Sequence, residues 1–189
     1  MPPAPLRIVL TGGPGSGKTT LLEALAARGH ATAPEAGRAV ILQQQASGGD
    51  ALPWRNPARF ADAMLEHAVA TFDAADNAGG PVLGRVFFDR GIGDVLGYLE
   101  LVGLAHGAAA QRCRAAARRR RYHAKVFIAP FWPEIYVNDA ERKQDLAEAE
   151  ATCAVMARVW PALGYDLVWL PKAPVAERVA FIMANLTGR

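Results

Sequence analysis

The sequence predicts an α/β protein, with a parallel sheet of five strands held between helices in three layers. Two observations lead there. Short apolar runs of strand length alternate along the 189 residues with longer stretches of helical periodicity. The strand candidates are also mostly apolar throughout rather than alternating, as strands covered on both faces should be.

Leu6–Leu10 reads as the first buried strand, and Gly17–Arg28 as a helix whose apolar face comes from "LLEALAAR". His30–Ala33 is a short strand ending at Pro34, and Ala36–Gln45 is a helix broken by "ASGGD". Asn56–Pro57 marks a helix start, an N-cap followed by proline at the first helical position; Phe60, Met64, Ala68 and Phe72 then fall near helical spacing. Val82–Asp89 is the next strand, followed by helices over Asp94–Val102 and Ala108–Arg121. Lys125–Ala129 is a strand, and a polar, proline-containing segment runs from there to about Gln144. A long helix through Trp160, the strand "YDLVWLP" and a helix over Val175–Asn185 complete the pattern. Residues 1–189 are expected to form one domain.

Composition narrows the classes. Twenty-one basic against 18 acidic residues give a net charge of +3, too little to argue for nucleic acid. Apolar runs stay far short of the roughly 20 residues of a membrane span, and "MPPAPLRIVL" has no signal-peptide layout, so a cytoplasmic protein is expected. Cys113 and Cys153 make neither a disulfide framework nor a metal site and read as buried fillers. The stretch "RCRAAARRRRYHAK" is basic without one carboxylate. Its run Arg118–Arg121 reads either as a contact for phosphate, acidic lipid or nucleic acid, or as a solvated helix end beside a negative dipole.

The chemistry-bearing stretch is "RIVLTGGPGSGKTTLLEAL". Gly12-x-x-x-x-Gly17-Lys18-Thr19 is a full P-loop pattern set between a strand and a helix. Without side chains, consecutive backbone N–H groups can curl around phosphate oxygens, so Gly12, Gly13, Pro14, Gly15, Ser16 and Gly17 form the cradle. The following helix aims its unpaired N–H groups and positive dipole end at the same point, with Lys18, Thr19 and Thr20 in its first turn. Lys18 is placed to neutralise the β- and γ-phosphates of a nucleoside triphosphate, ATP or GTP, and Thr19 to offer a hydroxyl to Mg²⁺.

Asp89 ends the strand "RVFFD" at the sheet edge where ligands sit, so it reads either as a carboxylate for the same Mg²⁺, direct or through water, or as a helix N-cap or turn aspartate. Arg90 stands where hydrolytic motor ATPases carry a water-activating glutamate. It suits an anionic or hydroxyl-rich acceptor, or forms a salt bridge to Glu35 or Asp94. Glu35 follows the second strand and, with Arg38 near it, is either a base for an attacking hydroxyl or a first-turn glutamate favouring its helix dipole. An acceptor cavity is expected between Glu35, Arg38, Phe60, Met64, Arg90 and Trp54, the apolar members serving equally well as core. "PFWPEIYVNDAERKQ", with Arg142 and Lys143, reads as a flap with a cation or as a solvated connection.

The segments "TGGPGSGKTTL", "PEAGRAVI", "FFDRGIGDVLGYL", "DAERKQ" and "ERVAFI" together resemble a family of small P-loop proteins described as AAA-domain predicted ATPases. These are relatives of the nicotinamide riboside kinase domain and, more distantly, of thymidylate and deoxynucleoside kinases. The resemblance implies a P-loop NTPase three-layer sandwich with strand order 2-3-1-4-5. It implies Glu35 as base, Asp89–Arg90 as the acidic–arginine pair after the third strand, Arg142 in a lid at about 131–144, and the loop near Lys172 against adenine. Deoxynucleoside kinases carry a fuller arginine-rich lid and another acceptor pocket, so their substrate does not transfer. The function expected is γ-phosphoryl transfer from ATP·Mg²⁺ to a hydroxyl on a small, nucleoside-like acceptor. The alternative is a nucleotide-binding switch or slow NTPase.

Overall fold

The computed structural model describes residues 5–75, 84–135 and 146–187. Five strands form one parallel sheet: β1 (Leu6–Gly12), β2 (Ala31–Ala33), β3 (Arg85–Asp89), β4 (Lys125–Ala129) and β5 (Asp166–Trp169). Their spatial order is β2-β3-β1-β4-β5, the order the family resemblance implied.

Side chains alternate across each strand, and the alternation splits the core in two. Ile8, Leu10, Phe87, Phe127 and Ala129 point to one face, where α1 (Lys18–Ala26) and α7 (Val175–Thr187) cover them with Leu21, Leu25, Val179 and Ile182. Val9, Val86, Phe88, Val126 and Ile128 point to the other. There α2 (Ala36–Ser47), α3 (Pro57–Ala74), α4 (Ile92–Leu101), α5 (Ala108–Arg119) and α6 (Leu146–Ala162) cover them. Trp160 of α6 is fully buried in this second core, in edge contact with Tyr122 and Tyr165. Cys113 and Cys153 are both buried and free.

Several element ends differ from expectation, each for a local reason. Helix α4 starts at Ile92 rather than Asp94, because the Asp94 carboxylate turns back to accept the Gly91 amide at 2.8 Å, making Asp94 a residue of the first turn. Helix α5 stops at Arg119 rather than Arg121, because Arg121 leaves the helix to donate to the Leu163 and Gly164 carbonyls. Helix α2 runs on to Ser47, where Gly48 at φ 68° closes it. Among the described residues no helix is long and apolar enough to cross a membrane.

Register fixes what meets at the carboxyl edge of the sheet. Leu10 pairs with Asp89 and Gly12 with Ala129, so β3 ends level with the point where β1 gives way to the glycine loop.

Candidate functional site

The loop Gly12–Gly17 joins β1 to α1, and its first two glycines are required by close approach. Gly12 has φ 129°, and a Cβ there would stand 2.5 Å from the Ala129 carbonyl oxygen. A Cβ on Gly13 would run into the Ala149 carbonyl of α6. Any side chain at either position would push the loop off the strand or the helix behind it.

Lys18 lies over this loop, its Nζ 2.7 Å from the Gly13 carbonyl, 3.3 Å from Ser16 Oγ and 3.4 Å from the Gly12 carbonyl. Ser16 Oγ itself donates to the Gly13 carbonyl at 2.8 Å. Burial, followed by the nearby Arg90 charge, lowers the Lys18 pKa to about 8. Pro14 is half-buried, while Gly15, Thr19 and Thr20 are exposed on the loop tip and the first turn of α1.

Beside the loop lies a network of buried charge. Arg90 donates through Nε to Glu35 Oε1 at 3.0 Å, and through Nη1 to the Gly12 carbonyl at 2.9 Å and Asp94 Oδ1 at 3.3 Å. Asp94 Oδ1 also accepts from Thr11 Oγ1. Burial works against the Arg90 charge, but the carboxylates of Glu35, Asp94 and Asp89 outweigh it and raise its pKa. Arg90 is, among the described residues, the one non-glycine with positive φ, at 69°. Strain of that kind is held where surrounding bonds over-determine the backbone; here the Arg90 amide donates to the Leu10 carbonyl at 2.9 Å.

Glu35 is the residue before the first turn of α2, yet its side chain makes no capping bond and reaches across to Arg90 instead. The ion pair foreseen as an alternative for Arg90 is therefore present with both Glu35 and Asp94, at the glycine loop itself. Arg38 is half-buried in the first turn of the same helix. Asp89 Oδ1 is buried without a hydrogen-bond partner, and burial raises the Asp89 pKa while the Lys18 charge pulls it down. An orphaned carboxylate oxygen at the carboxyl end of β3, level with the glycine loop, fits a divalent ion. Among the described residues no group of three or more His, Cys, Asp or Glu gathers as a metal cluster. A phosphate-bound Mg²⁺ requires none, since one or two protein oxygens with phosphate and water complete its shell.

Other expected residues part company with the loop. Phe60 and Met64 are buried in the core, Phe60 in edge contact with Tyr98 at 5.3 Å, and Trp54 is 61% exposed. Phe60 and Met64 take the core role; Trp54 does not. Lys172 is exposed in the β5–α7 connection, on the same edge of the sheet as the loop. Arg142 and Lys143 lie outside the described residues.

One residue escaped the sequence reading. Arg178, 2% exposed on α7, donates through Nη1 and Nη2 to the Ser16 carbonyl at 3.3 Å, while its Nε has no partner. It brings a cation to the back of the glycine loop. A signal existed, since Arg178 falls in step with Val175, Val179 and Ile182 on the buried stripe of α7.

A parallel sheet in this order with a glycine loop cradled between β1 and α1 defines a P-loop protein of the kinase-like type. The chain belongs to the AAA domain family, whose model matches residues 7–178. Solved structures agree on the fold. A NadR protein in complex with NR superposes with a TM-score of 0.75 at 14% identity, over 98% of this chain and 52% of that one. A NadR protein in complex with NAD and AMP-PNP gives 0.71 at 16% identity, over 96% and 48%. Deoxyadenosine kinase from M. mycoides, with products dCMP and a flexible dCDP bound, gives 0.68 at 13% identity, over 96% and 98%. The chain thus spans about half the length of the NadR chains and nearly all of the deoxyadenosine kinase. No curated protein sequence matches it.

Proposed function

We propose that this protein is an ATP·Mg²⁺-dependent kinase that transfers the γ-phosphoryl group to a hydroxyl of a small, nucleoside-like acceptor. The observation that carries the reading is the Glu35–Arg90 pair beside the glycine loop. A carboxylate that forgoes helix capping to sit there, held by a guanidinium that also grips the Gly12 carbonyl, suits an acceptor better than a hydrolytic water. The bound NR and dCMP of the fold neighbours support an acceptor of the nucleoside kind.

In this mechanism the loop N–H groups of residues 12, 13 and 15–17 and Lys18 bind the β- and γ-phosphates, with Arg178 adding charge from behind. Thr19 and Asp89 are the residues that would hold Mg²⁺, which neutralises charge developing on the transferred group. Glu35 accepts the proton of the attacking hydroxyl, and Arg90 orients Glu35. Such an enzyme works where ATP is supplied, in the cytoplasm; GTP in place of ATP would use the same cradle.

The test is transfer of label from γ-labelled ATP to a panel of nucleosides, run beside ATP consumption without acceptor. Mg²⁺-dependent labelling of one acceptor class, lost in Lys18→Ala, is expected. Consumption at one rate whatever acceptor is present would overturn the kinase reading in favour of an NTPase or switch.

A further inference from the structure

A cavity of about 340 Å³ lies at the edge of the sheet opposite the glycine loop, between α4, α5 and α6. Its position follows from the topology: Arg121 and Leu163 on its wall shortly precede the amino ends of β4 and β5. Four arginines line it, Arg114, Arg118 and Arg121 from α5 and just beyond, and Arg158 from α6. One carboxylate, Glu100, faces them and pairs with Arg158 at 2.6 Å. Leu96, Val159 and Leu163 add apolar surface to the lining.

The distribution of charge around this cavity is selective. Arg112 and Arg120, on the same helix and at its end, turn toward α3 and are neutralised by bidentate bonds to Asp62 and Asp73. Two of the cavity arginines, Arg114 and Arg121, are fixed instead by groups that carry no charge. Arg114 donates to the Ala105 carbonyl at 3.0 Å. Arg121 donates to the Leu163 and Gly164 carbonyls at 2.9 and 3.2 Å, with its guanidinium 4.0 Å from the Tyr165 ring centroid. Arg118 is exposed and makes no hydrogen bond or ion pair among the described residues. The α5 dipole accounts for Arg118 and Arg119 in its last turn. It does not account for Arg114 a turn earlier, nor for Arg158 on another helix.

We propose that this cavity is a second ligand site, for a small phosphorylated molecule: its phosphate or pyrophosphate on Arg114, Arg118 and Arg121, its apolar or ring portion against Val159 and Leu163. The volume falls within the ordinary range of small-molecule sites. Guanidiniums already held by carbonyls lose little freedom when an anion arrives. The shape separates this ligand from nucleic acid, which tracks a charged stripe and stacks bases on exposed rings. Here the charge is gathered in a hollow, and Tyr122 and Tyr165 are buried beneath it.

The site is read with the glycine loop filled. Full-length protein saturated with ADP·Mg²⁺ is titrated calorimetrically with inorganic pyrophosphate, and separately with phenyl phosphate and inorganic phosphate. One saturable site is expected, with phenyl phosphate bound more tightly than inorganic phosphate because of the apolar surface in the lining. Arg118→Glu should weaken pyrophosphate binding at least about tenfold, the loss of a charge-assisted contact. Arg112→Gln, whose side chain faces Asp62, should leave it unchanged. Because Arg118 is exposed, the variant keeps the fold, checked by an unaltered melting curve. Three results overturn the proposal: no saturable binding with ADP present, binding indifferent to Arg118→Glu, or capture of acidic peptide or anionic vesicles while pyrophosphate fails to bind.

Discussion

Arginine–carboxylate pairs occur in two settings in this molecule, and their lengths mislead. At the glycine loop Arg90 stands 3.0 Å from Glu35 and 3.3 Å from Asp94, with side chains 14%, 17% and 5% exposed. Along the α3–α5 flank, Arg112–Asp62 and Arg120–Asp73 are closer, at 2.6 and 2.7 Å, but their side chains are 26–54% exposed. The longer bonds matter more. In water the charges are screened and the side chains forfeit entropy to meet, so a short surface pair contributes little. In the sheltered network each charge has left its hydration behind, and removing one strands the others. Strain follows the same division, since the positive φ of Arg90 belongs to the sheltered set.

The largest expected effect separates chemistry from structure within that network. Glu35→Gln keeps the shape and an acceptor for Arg90 while removing the base. Phosphoryl transfer to an identified acceptor should fall by about 10²–10⁴-fold with nucleotide affinity nearly unchanged. Equal turnover would reduce Glu35 to a structural ion pair and make the two regions alike in kind.

Arg90→Met comes next. Leaving Glu35 and Asp94 without their shared cation should cost about 3–5 kcal/mol in urea unfolding. A midpoint indistinguishable from the parent protein would mean that water reaches those carboxylates and that the contrast with the flank is false.

Lys18 sharpens the contrast through pH. Its folded pKa of about 8 lies below the ordinary 10.5, so its charged form is disfavoured by folding. The unfolded chain binds more protons between those values, and the nucleotide-free protein should gain stability as pH rises from 8 to 10.5. A triphosphate restores the partner charge and raises the pKa, so nucleotide binding near pH 9 should take up as much as about one proton. Calorimetry in buffers of different ionisation enthalpy measures this. Uptake that persists in Lys18→Met would assign the proton to another group.

The smallest effect belongs to the flank. Arg120→Met should change stability by no more than about 1 kcal/mol, and the difference should shrink in high salt. A larger, salt-insensitive loss would place Arg120–Asp73 with the sheltered pairs.

Much of the fold was legible because it rests on local pattern. The strand Lys125–Ala129 was placed to the residue, since an apolar run bounded by a polar stretch and Pro130 needs no distant information. The glycine loop was legible for the same reason: the pattern Gly12-x-x-x-x-Gly17-Lys18-Thr19 is read entirely from neighbours between one strand and the next helix. The site was legible only in part. Arg90 could be read as holding an acceptor or as an ion pair, and the choice rested on residues 55 positions away and four positions on. Gly93 gives no local sign that Trp160, in a helix far along the chain, packs where its Cβ would be.

The sequence by itself determined the elements, the glycine loop and the family, because each is encoded in neighbours along the chain whose spacing matches a strand, a helix turn or a loop. Only the tertiary structure decided which charges meet. It set Arg90 between Glu35 and Asp94, slid Arg178 behind Ser16, and gathered Arg114, Arg118, Arg121 and Arg158 around one hollow while sending Arg112 and Arg120 to carboxylates. Hydrophobic periodicity says which face of a helix turns inward. It does not say which polar group on another element will be there to receive a charge, and that pairing is settled by the order of the strands and the packing of the helices upon them.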